Sequence, residues 1–302
     1  MKIFVTGATG VVGHRAVREL VAAGHDVTGL ARTDDKAKLL EGLGAKPVAF
    51  DVFDAADVRA HAAGHDVVVN LLTHIPPLAK AALPGAWKQN DKLRTEASAN
   101  LAAAATATGA RMVQESISFL YLDAGDQWIT EESPREATPF VVSTDAAEQN
   151  ALGVAGGVVL RFGQFYAPEA SHTKDSVRAA RMGVAPALGS PDGYQSYIYA
   201  DDAARAVVAA LDAPAGIYNV AEDEPLTRRE GAAILAAALH KKKLRSGLSK
   251  VLTKAAGSQG SLLARSNRIS SAKFKAATGW APAVPSQREG WPLIIEAMEA
   301  SK

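Results

Sequence analysis

Short apolar runs alternate with amphipathic stripes through the first half of the chain. KIFVT (2–6) is β-rich and ends at glycine. From Val11 to Ala23 the apolar positions 12, 16, 17, 20 and 21 recur at helical spacing, and the stripe stops at Gly24. HDVTGLA (25–31) reads as a second strand, followed by a polar stretch, a short helix and KPVAF (46–50). DVVVNLL (66–72) is almost wholly apolar, as a strand buried on both faces should be. Trp87 to Thr108 predicts a long Ala-rich helix. ARMVQES (110–116) and GGVVLRF (157–163) predict two more strands, with a helix over 139–153 between them. This alternation predicts an α/β fold, a parallel sheet covered by helices on both sides.

After Phe165 the pattern loosens. Residues 166–195 are Gly/Pro-rich and read as irregular. Residues 197–214 predict a strand end and a helix, GIYNVA (216–221) a strand, and the remainder from Leu226 polar helices. Composition changes this picture little. The chain has 302 residues, 48% apolar and 22% charged, enough for one large domain or two modest ones. A net charge of +1 gives no argument for nucleic acid or membrane as a partner. There is no cysteine and no histidine pair with HExxH spacing, so no metal is expected. MKIFVTGATG enters a strand directly, and no long apolar segment follows, so a cytoplasmic soluble protein is expected. Charge is uneven: residues 123–148 hold seven acids against one arginine, and residues 241–288 hold eleven Lys/Arg and no acid. These are either balancing solvated faces or a basic lip that attracts an anionic substrate; KKKLR (241–245) could instead touch nucleic acid, which the near-neutral total and the lack of nearby aromatics disfavour.

The candidate chemistry begins at TGATGVVG (6–13), with Gly7, Gly10 and Gly13 three apart between a strand and a helix. Glycine allows a tight turn and a close backbone approach to a ligand. The helix that follows presents free N–H groups and a positive dipole end, which suit a pyrophosphate. An NAD site commonly carries an acid at the end of the second strand, on the adenosine ribose. Here Ala31 is followed by Arg32 and Thr33. A guanidinium can pair with a 2′-phosphate that a carboxylate would repel, which favours NADP(H) over NAD(H).

With these residues the chain resembles the short-chain dehydrogenase/reductase superfamily, and more narrowly its extended or atypical branch, the NAD-dependent epimerase/dehydratase family. TGATGVVG is similar to the family's cofactor turn, LRFGQFYAP (160–168) to its LRxxxxYGP and YIYADDAARA (197–206) to its FIHVDDVARA. FDVFD (50–54), VVVNLLTH (67–74) and IYNVAEDEPLT (217–227) also fit. The resemblance implies a Rossmann-type doubly wound parallel sheet over 1–170, rejoined by the chain at about 196–222. Residues 171–195 and 223–302 would form a smaller, mostly helical substrate-binding region. It implies cofactor contacts from Thr6, Gly7, Thr9, Gly10, Val11, Val12 and Gly13. Further contacts would come from Arg32 and Thr33, Asp51 and Val52 at the adenine, Leu71 and Leu72 at the nicotinamide ribose, Thr144 and Tyr166.

The chain departs from the family at PFVVSTDAAEQ (139–149). Relatives carry Tyr-x-x-x-Lys there, and this chain has Phe140 and Thr144. A phenyl ring has no proton to transfer, and threonine supplies no charge. Near QESISFLYLD (114–123) the family's catalytic serine aligns with Ile117, between Ser116 and Ser118. His74, Glu115, Ser116 and Tyr121 are therefore the catalytic candidates, with Trp128 as a candidate pocket wall. The expected activity is an NADP(H)-dependent oxidoreductase of atypical type acting on a small carbonyl, alkene or imine-like compound. The alternatives are a sugar-nucleotide epimerase or dehydratase and a non-catalytic NADP(H) sensor. Relatives often dimerise through the helices placed at 88–108 and 139–153, so the resemblance leaves a homodimer open, and the Ala-rich faces do not decide it.

Overall fold

The structure, a computed structural model, describes residues 1–76, 83, 85–135, 139–245 and 257–301. Its centre is a seven-stranded sheet. The strands are β1 (Lys2–Thr6), β2 (Asp26–Leu30), β3 (Lys46–Val48), β4 (Val67–Asn70), β5 (Arg111–Ile117), β7 (Val158–Phe162) and β11 (Gly216–Val220). They run in the order β11-β7-β5-β4-β1-β2-β3. Every pairing in this sheet is parallel. The order turns back between β1 and β4, the switch point at which doubly wound sheets open a crevice at their carboxyl ends.

Both faces of the sheet are buried, as the unbroken apolar run in β4 predicts. On one face Ile3, Val5, Val69, Leu160 and Val220 pack with Ala16, Val17 and Leu20 of α1 (Gly13–Ala22) and with Ala203 and Val207 of α8 (Ala200–Ala209). On the other, Phe4, Val68, Met112 and Val159 meet α3 (Ala55–Ala62), α5 (Ser98–Thr108) and α6 (Pro139–Leu152). The predicted helix at 87–108 is continuous but not uniform. Between α4 (Lys88–Lys92) and α5 it carries a π-helical turn, Leu93–Ala97. Such turns insert one residue and re-aim side chains, often at functional sites.

The C-terminal part packs around a second cluster. Tyr166 and Tyr197 meet Val177 of α7 (Ser171–Arg181), Leu235 of α9 (Arg228–Ala238), and Trp291 and Ile294 of the helix Gln287–Ala300. The sequence pattern gives 171–181 as irregular, and this is corrected by α7. SHTKDSVRAAR has too few apolar residues to mark a stripe, and Thr173, Val177 and Ala180 become a buried face only against α9. Short pairings of β8 (Gln164–Tyr166) with β10 (Tyr197–Tyr199), of β9 (Tyr194–Gln195) with Leu226–Thr227, and of β6 (Trp128–Ile129) with Arg268–Ile269 tie this part to the loops of the sheet. Among the described residues no helix is long and apolar enough to cross a membrane.

Candidate functional site: the switch point of the sheet

The glycine turn sits at the switch point. Gly7 has φ +72°, and a Cβ there would overlap the Leu71 carbonyl just past β4. A Cβ on Gly13 would overlap the Gly7 carbonyl. The turn is thus folded onto itself and onto β4 at a spacing that only hydrogen side chains permit. It is closed by the Gly10 amide donating to the Gly7 carbonyl (3.0 Å), while the Leu71 amide donates to Thr6 (3.0 Å). The helix behind it, α1, starts at Val12 with no side-chain cap and no acid in its first turn. Its positive end therefore carries none of the compensation a helix start usually has. A backbone cradle with an uncompensated dipole fits a pyrophosphate, and these residues fit the group that the resemblance implies.

Behind the turn a polar row crosses the sheet. Thr6 donates to Asn70 Oδ1 (2.8 Å), and Asn70 Nδ2 donates to Gln114 Oε1 (2.8 Å). The Leu72 amide also donates to Asn70 Oδ1 (3.2 Å). This fixes the backbone at the end of β4, and Thr6 is spent in it. Asn90 accepts from the His74 amide (3.0 Å), so α4 holds the same segment from outside. One turn on, in the π-helical segment, Arg94 is 3% exposed and donates from Nη2 to Glu115 Oε1 (3.3 Å) and Oε2 (3.2 Å). Its Nε and Nη1 are buried without a hydrogen-bond partner. Burial pushes the Glu115 carboxyl above its usual range, and the Arg94 guanidinium opposes that shift.

A third network lies at the ends of β5 and β7. Ser116 donates to Glu148 Oε1 (2.6 Å), and Arg161 grips the same carboxylate through Nε (2.8 Å) and Nη2 (2.6 Å). Arg161 Nη1 donates to the Tyr121 hydroxyl (2.9 Å), which donates to Asn219 Oδ1 (2.7 Å). Ser116, Tyr121, Glu148 and Arg161 are all at most 1% exposed. Burial raises the Tyr121 pKa further above neutrality.

The structure brings Gly7, Gly10, Gly13, Thr6, Leu71 and Leu72 together at the switch point. Arg32 and Thr33 stand exposed just past β2, with Thr33 at the start of α2 (Asp34–Gly42). Asp51 accepts from the Phe53 amide (3.0 Å), and Val52 joins Leu30 and Leu93 in an apolar cluster with Phe53 and Leu72. The four catalytic candidates are not gathered around one open pocket. His74 is exposed, Glu115 is enclosed with Arg94, and Ser116 and Tyr121 belong to the third network. Tyr166 is fully buried against Trp291 and donates to the Ser286 carbonyl (3.3 Å). Thr144 is buried in α6, and the Phe140 side chain lies outside the described residues. Trp128 is exposed, with the Arg268 guanidinium over its ring at 4.3 Å. Sequence reasoning misses Arg94, Glu148, Asn70 and Gln114. A lone charge in a helix carries no mark of its partner on a distant strand.

A doubly wound parallel sheet with a glycine cradle at its switch point defines a dinucleotide-binding protein of the α/β class. Comparison with known proteins narrows the class. Residues 3–221 match the NAD dependent epimerase/dehydratase family, and the chain belongs to that family. It is 33% identical to a 3-diazoavenalumate denitrifying reductase from a Streptomyces species, over 96% of this chain and 99% of that protein. It is 28% identical to a 2-alkyl-3-oxoalkanoate reductase of Shewanella oneidensis, over 74% of this chain and 62% of that protein. Among solved structures, a human epimerase family protein crystallised with NADPH superposes with a TM-score of 0.81 at 22% identity, covering 98% of this chain and 99% of that one. A UDP-N-acetylglucosamine 4-epimerase from Bacillus cereus superposes with a TM-score of 0.74 at 20% identity, covering 99% of both chains.

Proposed function

We propose that this protein is an NADP(H)-dependent reductase that delivers hydride to a small electrophile without the tyrosine–lysine pair of its family. The carrying observation is the glycine cradle against Leu71, opening an α1 with neither cap nor acid in its first turn. Arg32, in place of an acid past β2, supports the 2′-phosphorylated cofactor. The apolar cluster of Leu30, Val52 and Phe53 offers a wall for the adenine. Two relatives named as reductases, one matched over nearly its whole length, support the direction of the reaction.

The proton side is set by what the chain lacks. Phe140 stands at the family's tyrosine position, Ser116 and Tyr121 are engaged in a buried network, and Glu115 is held by Arg94. An acceptor that takes hydride without a proton from the protein suits this arrangement. The Streptomyces relative's name describes reductive removal of nitrogen from a diazo compound. Hydride added to the terminal nitrogen of an aryl diazonium cation gives a neutral diazene. That diazene leaves as N2 and the arene, so charge and atoms balance with NADP+ as the only other product. Iminium ions share the property, whereas ketones need a proton on the new alkoxide.

The test is NADPH oxidation with aryl diazonium, iminium, enone and ketone acceptors across pH. Turnover of the cationic acceptors at a rate flat from about pH 6 to about pH 8 is expected. Turnover confined to ketones, falling with deprotonation of a single group, would overturn the proton-free mechanism. NADPH binding with no turnover on any acceptor would favour the sensor. For the cofactor, fluorescence titration should show tighter binding of NADPH than NADH. Arg32→Asp should reverse that order, and equal affinities in the native chain would remove the role of Arg32.

A further inference from the structure

Two lysines of the basic run at 241–245 line a cavity of about 210 Å3. The cavity lies between the first turns of α9, the segment 185–191 and residues 242–244. Its charged lining residues are Arg228, Arg229, Lys242 and Lys243, and among the described residues no Asp or Glu lines it. Arg229 is already paired with Asp192 (2.8 Å). Lys242 and Lys243 are exposed, and Arg228 is 5% exposed.

Arg228 is the unusual member. Its Nη2 donates to the carbonyls of Leu263 (3.0 Å) and Arg265 (2.6 Å). Its Nε and Nη1 are buried with no hydrogen-bond partner. Asp123 is the acid that acts on it electrostatically, but that carboxylate accepts the Gly125 (2.9 Å) and Ser266 (3.0 Å) amides instead. The same guanidinium lines a second cavity of about 20 Å3 beside Tyr197, Gln287 and Trp291, with room for about one water. A buried guanidinium without a carboxylate is costly unless something of opposite charge joins it. The cavity beside it is lined by cations and is large enough for a small organic molecule.

We propose that this cavity binds a phosphate-bearing small molecule, with Arg228 at its base and Lys242 and Lys243 at its lip. The site is separate from the glycine turn and does not depend on the hydride reaction. With Nη2 held by the two carbonyls, the guanidinium offers phosphate oxygens single charge-assisted bonds from Nε or Nη1, and the two ammonium groups add point charges for the remaining negative charge.

The experiment is calorimetric titration of the full chain with inorganic pyrophosphate, in the presence of saturating NADPH so that the glycine turn is filled, and again without NADPH. One site per chain is expected under NADPH. Lys242→Glu with Lys243→Glu should weaken it by about tenfold or more, as loss of charge-assisted contacts does. Arg228→Met should abolish it, and Lys273→Glu, also in the basic stretch but outside the cavity, should leave it unchanged. The lysine variants are at exposed positions, so they keep the test valid if Arg228→Met does not fold. The proposal is overturned if pyrophosphate fails to bind under NADPH or if the lysine pair binds it as the native chain does. Malonate binding equally well at matched ionic strength would overturn the assignment to phosphate. Failure of NADPH itself to bind would strike the cofactor reading and leave this one to the second titration.

Discussion

Glu222, just past β11, shows how one residue can be invisible in the sequence and still govern behaviour. It is 2% exposed, and its Oε1 accepts the Tyr197 amide (3.0 Å). Burial pushes its carboxyl up to about 8, so it is mostly protonated at neutral pH. A carboxyl whose folded pKa exceeds its unfolded value binds more protons in the native state. Its contribution is greatest below the unfolded pKa near 4.5 and is lost as pH rises towards about 8. Glu222→Gln, fixed in the neutral form, should escape that loss. The variant should gain stability relative to the native chain between pH 5 and pH 9, on the order of a few kcal/mol at the upper end. Denaturant unfolding at the two pH values measures this; a difference between the chains that does not change with pH would show that Glu222 is ionised throughout. The sequence marks Gly7, Gly10 and Gly13 because turn chemistry is local. It does not mark Glu222, whose environment is made by Tyr197, 25 positions away, and by the helix Gln287–Ala300.

Among the elements, α6 is held to the sheet largely by charge. Its stripe is weak in the sequence, with Ala147 and Ala151 supplying little apolar area. The helix is instead tied to the sheet by Glu148, clasped by Arg161 on β7 and by Ser116 on β5. Both members of the ion pair are 1% exposed. Removing Glu148 leaves the Arg161 guanidinium charged and buried, a loss of about 3–5 kcal/mol. Glu148→Ala should therefore lower the unfolding free energy by that amount, and replacing Glu148 and Arg161 together by Leu and Met should restore most of it. If the double variant is no more stable than the single one, the pair contributes through geometry beyond charge. The β–α order was legible because strand and helix periods differ locally. The π-helical turn at Leu93–Ala97 and the helix α7 were not, because each depends on what packs against it.

For the molecule as a whole, the glycine turn links the sheet to whatever fills it. Gly7 and Gly13 hold β1, α1 and the end of β4 in one contact, so a ligand seated there braces the switch point from both sides. A cofactor that binds only the folded chain stabilises it by RT ln(1 + [L]/Kd), about 2.7 kcal/mol at a hundredfold excess over Kd. For a chain of this length that is a rise in Tm of about 5 °C. On the proposed cofactor preference, NADPH should produce the larger shift and NADH at equal concentration a smaller one, since a 2′-phosphate would give Arg32 a partner. Gly13→Ala should remove the shift, since its Cβ would overlap the Gly7 carbonyl and open the cradle. Hydrogen exchange locates the effect: bound NADPH should slow exchange of the amides from Gly7 to Gly13 and at Leu71 and Leu72. Protection confined to the C-terminal helices, with the turn unchanged, would place the dinucleotide elsewhere and take the reductase reading with it.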